Sequence, residues 1–146
     1  MSVEPRITVF LDTSILVYAY DRSAGQKHEI AAQLVRDCWD NENGSVSIQV
    51  LQEFYVIMTR KIAAPLDHPT GRQIVTDLTQ WHVHIPHTID LIQAIDLQHS
   101  YKFSFWDAMI LQSAVRLGCK QLLSEDFSHG QAYGNVEVIN PFKGTK

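Results

Sequence analysis

The sequence predicts an α/β fold in which a parallel sheet is covered by helices on both faces. Three observations carry that reading. Short apolar, β-branched runs alternate with helical periods along the whole chain, the order expected of repeated strand–helix units. The first run, Ile7-Thr8-Val9-Phe10-Leu11, is β-branched or apolar at every position and stops at Asp12, as a central strand buried on both faces does. The composition, 45% hydrophobic and 19% charged over 146 residues, is that of one globular domain, residues 1–146, with no repeat and no Pro/Gly/Ser-rich linker to divide it.

The elements follow in order. Arg6 to Leu11 forms the first strand. Ile15 to Tyr20 is a short helix capped by Thr13 or Ser14. From His28 to Trp39, apolar Ile30, Ala31, Leu34, Val35 and Cys38 recur with helical period, and Asn43-Gly44 ends the helix. Ser45 to Ile48 reads as a strand, and Gln49 to Lys61 as a helix with Val50, Leu51, Phe54, Ile57 and Met58 inward. A loop holding Pro65 and Pro69 leads to a helix near Thr70 to Trp81. His82 to Ile85 alternates like a strand with its two histidines outward, and Leu91, Ile92 and Ile95 mark the next helix. Ser104 to Leu117 is a helix closed by Gly118, and Gln121–Leu123 and Val136–Ile139 add two strands.

Sixteen acidic against twelve basic residues give a net charge of −4, so the chain lacks the basic field of a protein that coats nucleic acid. An enzyme that grips phosphates through metal ions is not excluded by this. Cys38 and Cys119 read as reduced, buried thiols rather than a disulfide framework. The apolar stretch Ile7–Tyr20 is too short, and too polar at Asp12, Thr13 and Ser14, to span a bilayer. The flank with Glu4 and Arg6 lacks the basic start of a signal peptide, and the expected address is the cytoplasm, away from membranes.

In parallel sheets chemistry gathers beyond the carboxyl ends of the strands, and four acids stand where that rim is expected. Asp12 interrupts an apolar run at a strand end; it serves either a site or the cap of the following helix. Glu53 has mostly apolar neighbours three and four residues away, which sets its carboxylate on or near the buried face, where it needs a cation or a proton; otherwise it turns to the helix edge. Asp107 opens a helix in Ser104-x-x-Asp107, a spacing shared with a capping box. Glu125-Asp126 leave a strand, where a solvated loop is the plain alternative. Together, like charges in one cleft must protonate or bind cations, and carboxylates without histidine or cysteine partners select Mg²⁺ or Mn²⁺ over Zn²⁺.

Phe10-Leu11-Asp12-Thr13-Ser14, Val50-Leu51-Gln52-Glu53-Phe54-Tyr55, Ser104-Phe105-Trp106-Asp107-Ala108 and Leu122-Leu123-Ser124-Glu125-Asp126-Phe127 resemble, in order, the acidic motifs of PIN-domain ribonucleases, most closely the VapC-type toxins of toxin–antitoxin pairs. The resemblance covers nearly the whole chain, to Val138-Ile139-Asn140-Pro141-Phe142. It implies a three-layer α/β/α sandwich with a central, mostly parallel sheet, and a Mg²⁺- or Mn²⁺-dependent endoribonuclease leaving a 5′-phosphate and a 3′-hydroxyl. It further implies an RNA substrate, a homodimer, and a cognate antitoxin whose C-terminal segment covers the acidic cleft. The family's acids carry over to Asp12, Glu53, Asp107 and Asp126, its hydroxyl residue after the first acid to Ser14, and the one ahead of the last acid to Ser124. Glu125 beside Asp126 leaves open which of the two approaches the metal.

Two rival readings share this resemblance: a nuclease of RNA processing, and a non-catalytic binding module. An aspartyl-nucleophile phosphatase also starts with a strand ending in Asp, but Ser14 stands where its second Asp belongs. His82-x-His84 lacks the further ligands of a zinc site. Arg60, Lys61, Lys102, Arg116 and Lys120 are candidates to grip RNA or to neutralise helix ends, and Phe105 and Trp106 are read mainly as core, with stacking of a base the alternative.

Overall fold

The computed structural model describes residues 7–144, so the expected start of the first strand at Arg6 lies outside them. Strand β1 is Val9–Leu11, buried throughout, and helix α1 is Thr13–Tyr20. Asp12 itself caps α1, not Thr13 or Ser14: an acceptor one residue before the helix reaches the orphan N–H groups of its first turn. After a single 3₁₀ turn, α2 spans Gln26–Asn41. Glu42, in the left-handed conformation at φ 51°, closes α2 in place of the expected Asn43-Gly44. Gly44 instead begins β2 (Gly44–Ser47), and a Cβ there would lie 2.7 Å from the Trp81 ring. Glycine is required at that position by close approach, not by turn conformation.

Helix α3 runs Ile48–Arg60, started by Ser47, whose hydroxyl accepts the Val50 N–H. Helix α4 is His68–Leu78; Pro69 lies inside its first turn rather than in the loop, because Asp67 caps the helix and a first-turn N–H has no partner to lose. It stops short of Trp81, which is buried over Gly44. Strand β3 is His82–His84, and helices α5 and α6 are Thr88–Tyr101 and Phe105–Arg116. Strand β4 is Gln121–Leu123, and β6 is Val136–Ile139. Between them a two-residue edge strand that the sequence reading missed, β5 (Ala132–Tyr133), pairs antiparallel with β6.

The strands are ordered β3-β2-β1-β4-β6-β5, with every pair parallel except the last. Helices pack in two groups, α1 with α2 and α3, α3 with α4, and separately α5 with α6, so the sheet is the middle of three layers. Phe10, Leu11, Leu122, Val46 and Val138 fill its centre, with Ile15, Leu16, Phe54 and Met58 from the helices. Both cysteines are buried and free, and burial pushes the Cys38 thiol up to about 11. Among the described residues no helix is long and apolar enough to cross a membrane.

This order sets the site. The chain leaves β1 for β2 and β3 on one side and returns through β4 on the other, so the topological switch lies between β1 and β4. Leu11 pairs with Leu123, which brings Asp12 and Ser124 out of the sheet side by side. A crevice at that rim is where a doubly covered sheet binds ligands.

Candidate active site

Asp12 is 4% exposed, and both its carboxylate oxygens are engaged. The Thr13 N–H donates to Oδ1 at 2.7 Å, and the Ser124 hydroxyl donates to Oδ2 at 2.7 Å. The same Ser124 oxygen accepts the Asp126 N–H at 3.0 Å, so one buried hydroxyl fixes the first and last acids relative to each other. Burial pushes the Asp12 carboxyl up to about 7; the hydrogen bonds from Ser124 and Thr13 oppose the rise, and the charges of Asp126 and Asp107 add to it. Asp126 is also raised, first by burial and then by the charges of Asp107 and Glu125.

Asp107 sits in the first turn of α6. Its backbone N–H goes to the Ser104 hydroxyl at 3.1 Å, so the capping role suggested by the spacing falls on that N–H and its carboxylate lines the cleft. Glu53 is half-buried, one turn along α3 from Gln49. The Gln49 amide donates to Glu53 Oε1 at 2.9 Å and to the Trp106 carbonyl at 3.2 Å, tying α3 to the start of α6 across the opening.

The four acids line one cleft of about 280 Å³ together with Ser14, Gln49, Tyr18 and Trp106. Among the described residues no lysine, arginine or histidine is in that lining, and the hydroxyls of Thr13 and Ser14 are buried there without a hydrogen-bond partner among them. Glu125 is turned elsewhere: Tyr18 donates to it at 2.7 Å and Lys27 pairs with it at 2.8 Å, the ammonium lying 5.0 Å from the Tyr18 ring centre and 5.3 Å from that of Phe142. Asp126, not Glu125, reaches the cleft.

An all-oxygen donor set with orphaned hydroxyls and no local cation fits a hard divalent ion. Among the described residues no three His, Cys, Asp or Glu side chains stand close enough together to close on an ion.

Several sequence expectations are corrected. Trp106 is not core: it is 64% exposed at the cleft, while Phe105 packs against Ala94, Ala108 and Met109. His84 is not outward but buried, with Nδ1 2.8 Å from the Ser113 hydroxyl and Nε2 3.3 Å from Asp90. Arg116 lies 3.6 Å from Asp90, and among the residues described as lining the cleft there is none of Arg60, Lys61, Lys102 or Lys120. The sequence reading passed over Gln49, Tyr18 and Lys27; the i, i+4 spacing of Gln49 and Glu53 was the available signal for the first.

Residues 9–134 match the PIN domain family. Among solved structures the chain is similar to a toxin–antitoxin complex from Klebsiella pneumoniae, at 19% identity and a TM-score of 0.67, over 92% of this chain and 98% of that one. It is also similar to VapC20 of Mycobacterium tuberculosis, a toxin that cleaves the sarcin–ricin loop, at 17% identity and a TM-score of 0.61, over 82% of this chain and 92% of that one. No curated protein matches it significantly. At such identities the two structures speak to the fold.

Proposed function

The chain belongs to the PIN domain family, and from that premise we propose that it is a Mg²⁺-dependent endoribonuclease, the toxin of a toxin–antitoxin pair. One observation carries the proposal: four carboxylates line a single cleft in which the described residues place no cationic side chain. Such a set is unfavourable for a scaffold, and a divalent ion relieves it.

Asp12 and Asp107 hold the ion, directly or through water, with Mn²⁺ as the alternative metal. Asp126 assists and orients the attacking water, and Glu53, steadied by Gln49, holds a second ion or a water. Ser124 keeps Asp12 and Asp126 in register, and the orphaned Ser14 hydroxyl is free to hydrogen-bond a bound water or substrate oxygen. A bound ion supplies a nucleophile at neutral pH and offsets the charge of the phosphodiester. A cleft without fixed cations also suits neutralisation by a partner that brings its own, and the likeness to a toxin–antitoxin complex supports an antitoxin as that partner. The reading places the protein in the cytoplasm as a homodimer.

The test is cleavage of a mixed RNA panel by antitoxin-free protein, with Mg²⁺ and with EDTA, beside Asp107→Asn. Cutting that needs both Mg²⁺ and Asp107 is expected; folded, Mg²⁺-supplied protein that cuts none of the panel, or Asp107→Asn at full rate, would overturn the assignment. Growth arrest on expression, relieved by a neighbouring antitoxin gene, separates a toxin from a nuclease of RNA processing.

A further inference from the structure

The cleft holds one side chain that neither metal binding nor acid–base chemistry explains. Trp106 is 64% exposed, the highest fraction among the exposed large hydrophobic side chains of the described residues. The other two tryptophans are treated differently: Trp81 is buried, and its ring packs edge-on against that of Trp39, their centres 5.4 Å apart. An indole left in water forgoes one of the largest apolar burials available to a side chain, so an exposed one beside a polar cleft points to a ligand.

Trp106 is exposed yet held. It lies in the first turn of α6, its carbonyl accepts from Gln49, and the Phe105 ring packs edge-on against it at 5.0 Å and 77°. Phe105 is in turn seated on Ala94, Ala108 and Met109. The ring stands next in sequence to Asp107 and in the same cleft lining. A nucleotide fits both halves of it, with its phosphate at the carboxylate–ion centre and its base against the indole. Base–aromatic stacking requires a free base face, which a base inside a duplex does not offer.

We propose that Trp106 is a stacking platform for an unpaired base beside the phosphate that is cut, so that the chain selects RNA whose cleavage site is unpaired. The proposal rests on the nuclease reading for the phosphate beside it, and their failures are distinguishable. Because the ring is exposed, Trp106→Ala and Trp106→Phe are expected to fold. Binding is measured with Ca²⁺ in place of Mg²⁺, using short oligo(U) and oligo(A) RNAs and a blunt RNA duplex of equal length, and read by tryptophan emission and by fluorescence anisotropy of labelled RNA.

The single strands quench wild-type emission and the duplex does not. Trp106→Phe loses the quenching but keeps most of the affinity, and Trp106→Ala weakens single-strand binding by roughly 5- to 150-fold, the range of one lost base stack. If Trp106→Ala binds single strands, and in Mg²⁺ cleaves RNA, as the wild type does, the platform is overturned while the nuclease stands. If Trp106→Ala leaves RNA affinity unchanged but dissociates a dimer in sedimentation, the platform is likewise overturned and the ring belongs to a contact between copies. Trp106-dependent quenching by a protein that cuts no RNA would overturn the nuclease and, with it, the platform's place beside a cut phosphate, leaving only a base-binding ring.

Discussion

Asp12 ends β1, caps α1 and lines the cleft with one carboxylate. The sequence presented cap and site as alternatives, because spacing shows which residue precedes a helix but not how two oxygens divide their partners. Oδ1 serves the helix and Oδ2 takes the Ser124 hydroxyl. Glu125 and Asp126 were equally inseparable in sequence, since only the fold brings Tyr18 and Lys27 to the first of them. The burial that serves Asp12 has a thermodynamic consequence. Its carboxyl is pushed from 3.8 up to about 7 in the fold, so the unfolded chain releases that proton at lower pH. The metal-free protein therefore loses stability as pH rises from about 4 to about 7, by on the order of a few kcal/mol, and levels off above. Asn in its place carries no charge and can still accept the Thr13 N–H. At pH 8 in EDTA, Asp12→Asn is expected to melt above the wild type, while Mg²⁺ raises the wild-type Tm and leaves the variant's unchanged. A lower Tm for Asp12→Asn in EDTA would show that the buried charge is not the liability described here.

At the scale of elements, helix periods and strand runs were legible because each reflects local burial, and departures arose where a partner distant in sequence decides. Helix α5 is the clearest case. Its apolar Leu91, Ile92 and Ile95 mark the helix in sequence, yet all three are exposed, and the buried positions are Asp90 and Ala94. Asp90 is fully buried because Gln112 donates to it at 3.0 Å, the His87 N–H at 2.8 Å, and His84 and Arg116 stand beside it. Those partners come from β3, the turn before α5 and helix α6, which no periodicity within α5 can reveal. Burial alone would raise the Asp90 pKa, but these donors and charges outweigh it and hold the carboxyl below its usual range. Burial lowers His84, against the pull of Asp90, so the fold disfavours its charged form, with Nδ1 against the Ser113 hydroxyl and Nε2 against Asp90. The signs agree. Below about 6.5 the unfolded chain takes up a proton at His84 that the fold resists, and below about 4 it takes up one at Asp90 that the fold also resists. Both contributions lower the Tm on acidification, the first opposing that of Asp12 between about 4 and 6.5, and His84→Gln should remove the first while leaving the second. An unchanged profile in His84→Gln would remove His84 as the cause of the first.

For the whole molecule, the parallel order carries single residues from four separate elements to one rim, and the switch between β1 and β4 places that rim's crevice. This much follows from strand–helix alternation, whereas the short antiparallel β5 and the outward face of α5 do not, because both depend on what the finished fold leaves beside them. Helix α5 cannot turn its apolar stripe inward without taking Asp90 from its donors, so Ile89, Leu91, Ile92 and Ile95 are a permanent outer surface rather than a displaced piece of core. A stripe at successive helical turns is self-complementary across a two-fold axis, where each copy's α5 crosses the other's and the same residues meet. On a chain of net charge −4 such a patch suits one closed contact, the form we propose for the homodimer. Ile92→Glu combined with Ile95→Glu is therefore expected to convert a dimer to a monomer in sedimentation equilibrium, with an unchanged circular dichroism spectrum, since neither side chain supports the interior. A wild type that sediments as a monomer at micromolar concentration, or a double variant that remains a dimer, would remove α5 as the dimer surface while leaving the cleft and its chemistry untouched.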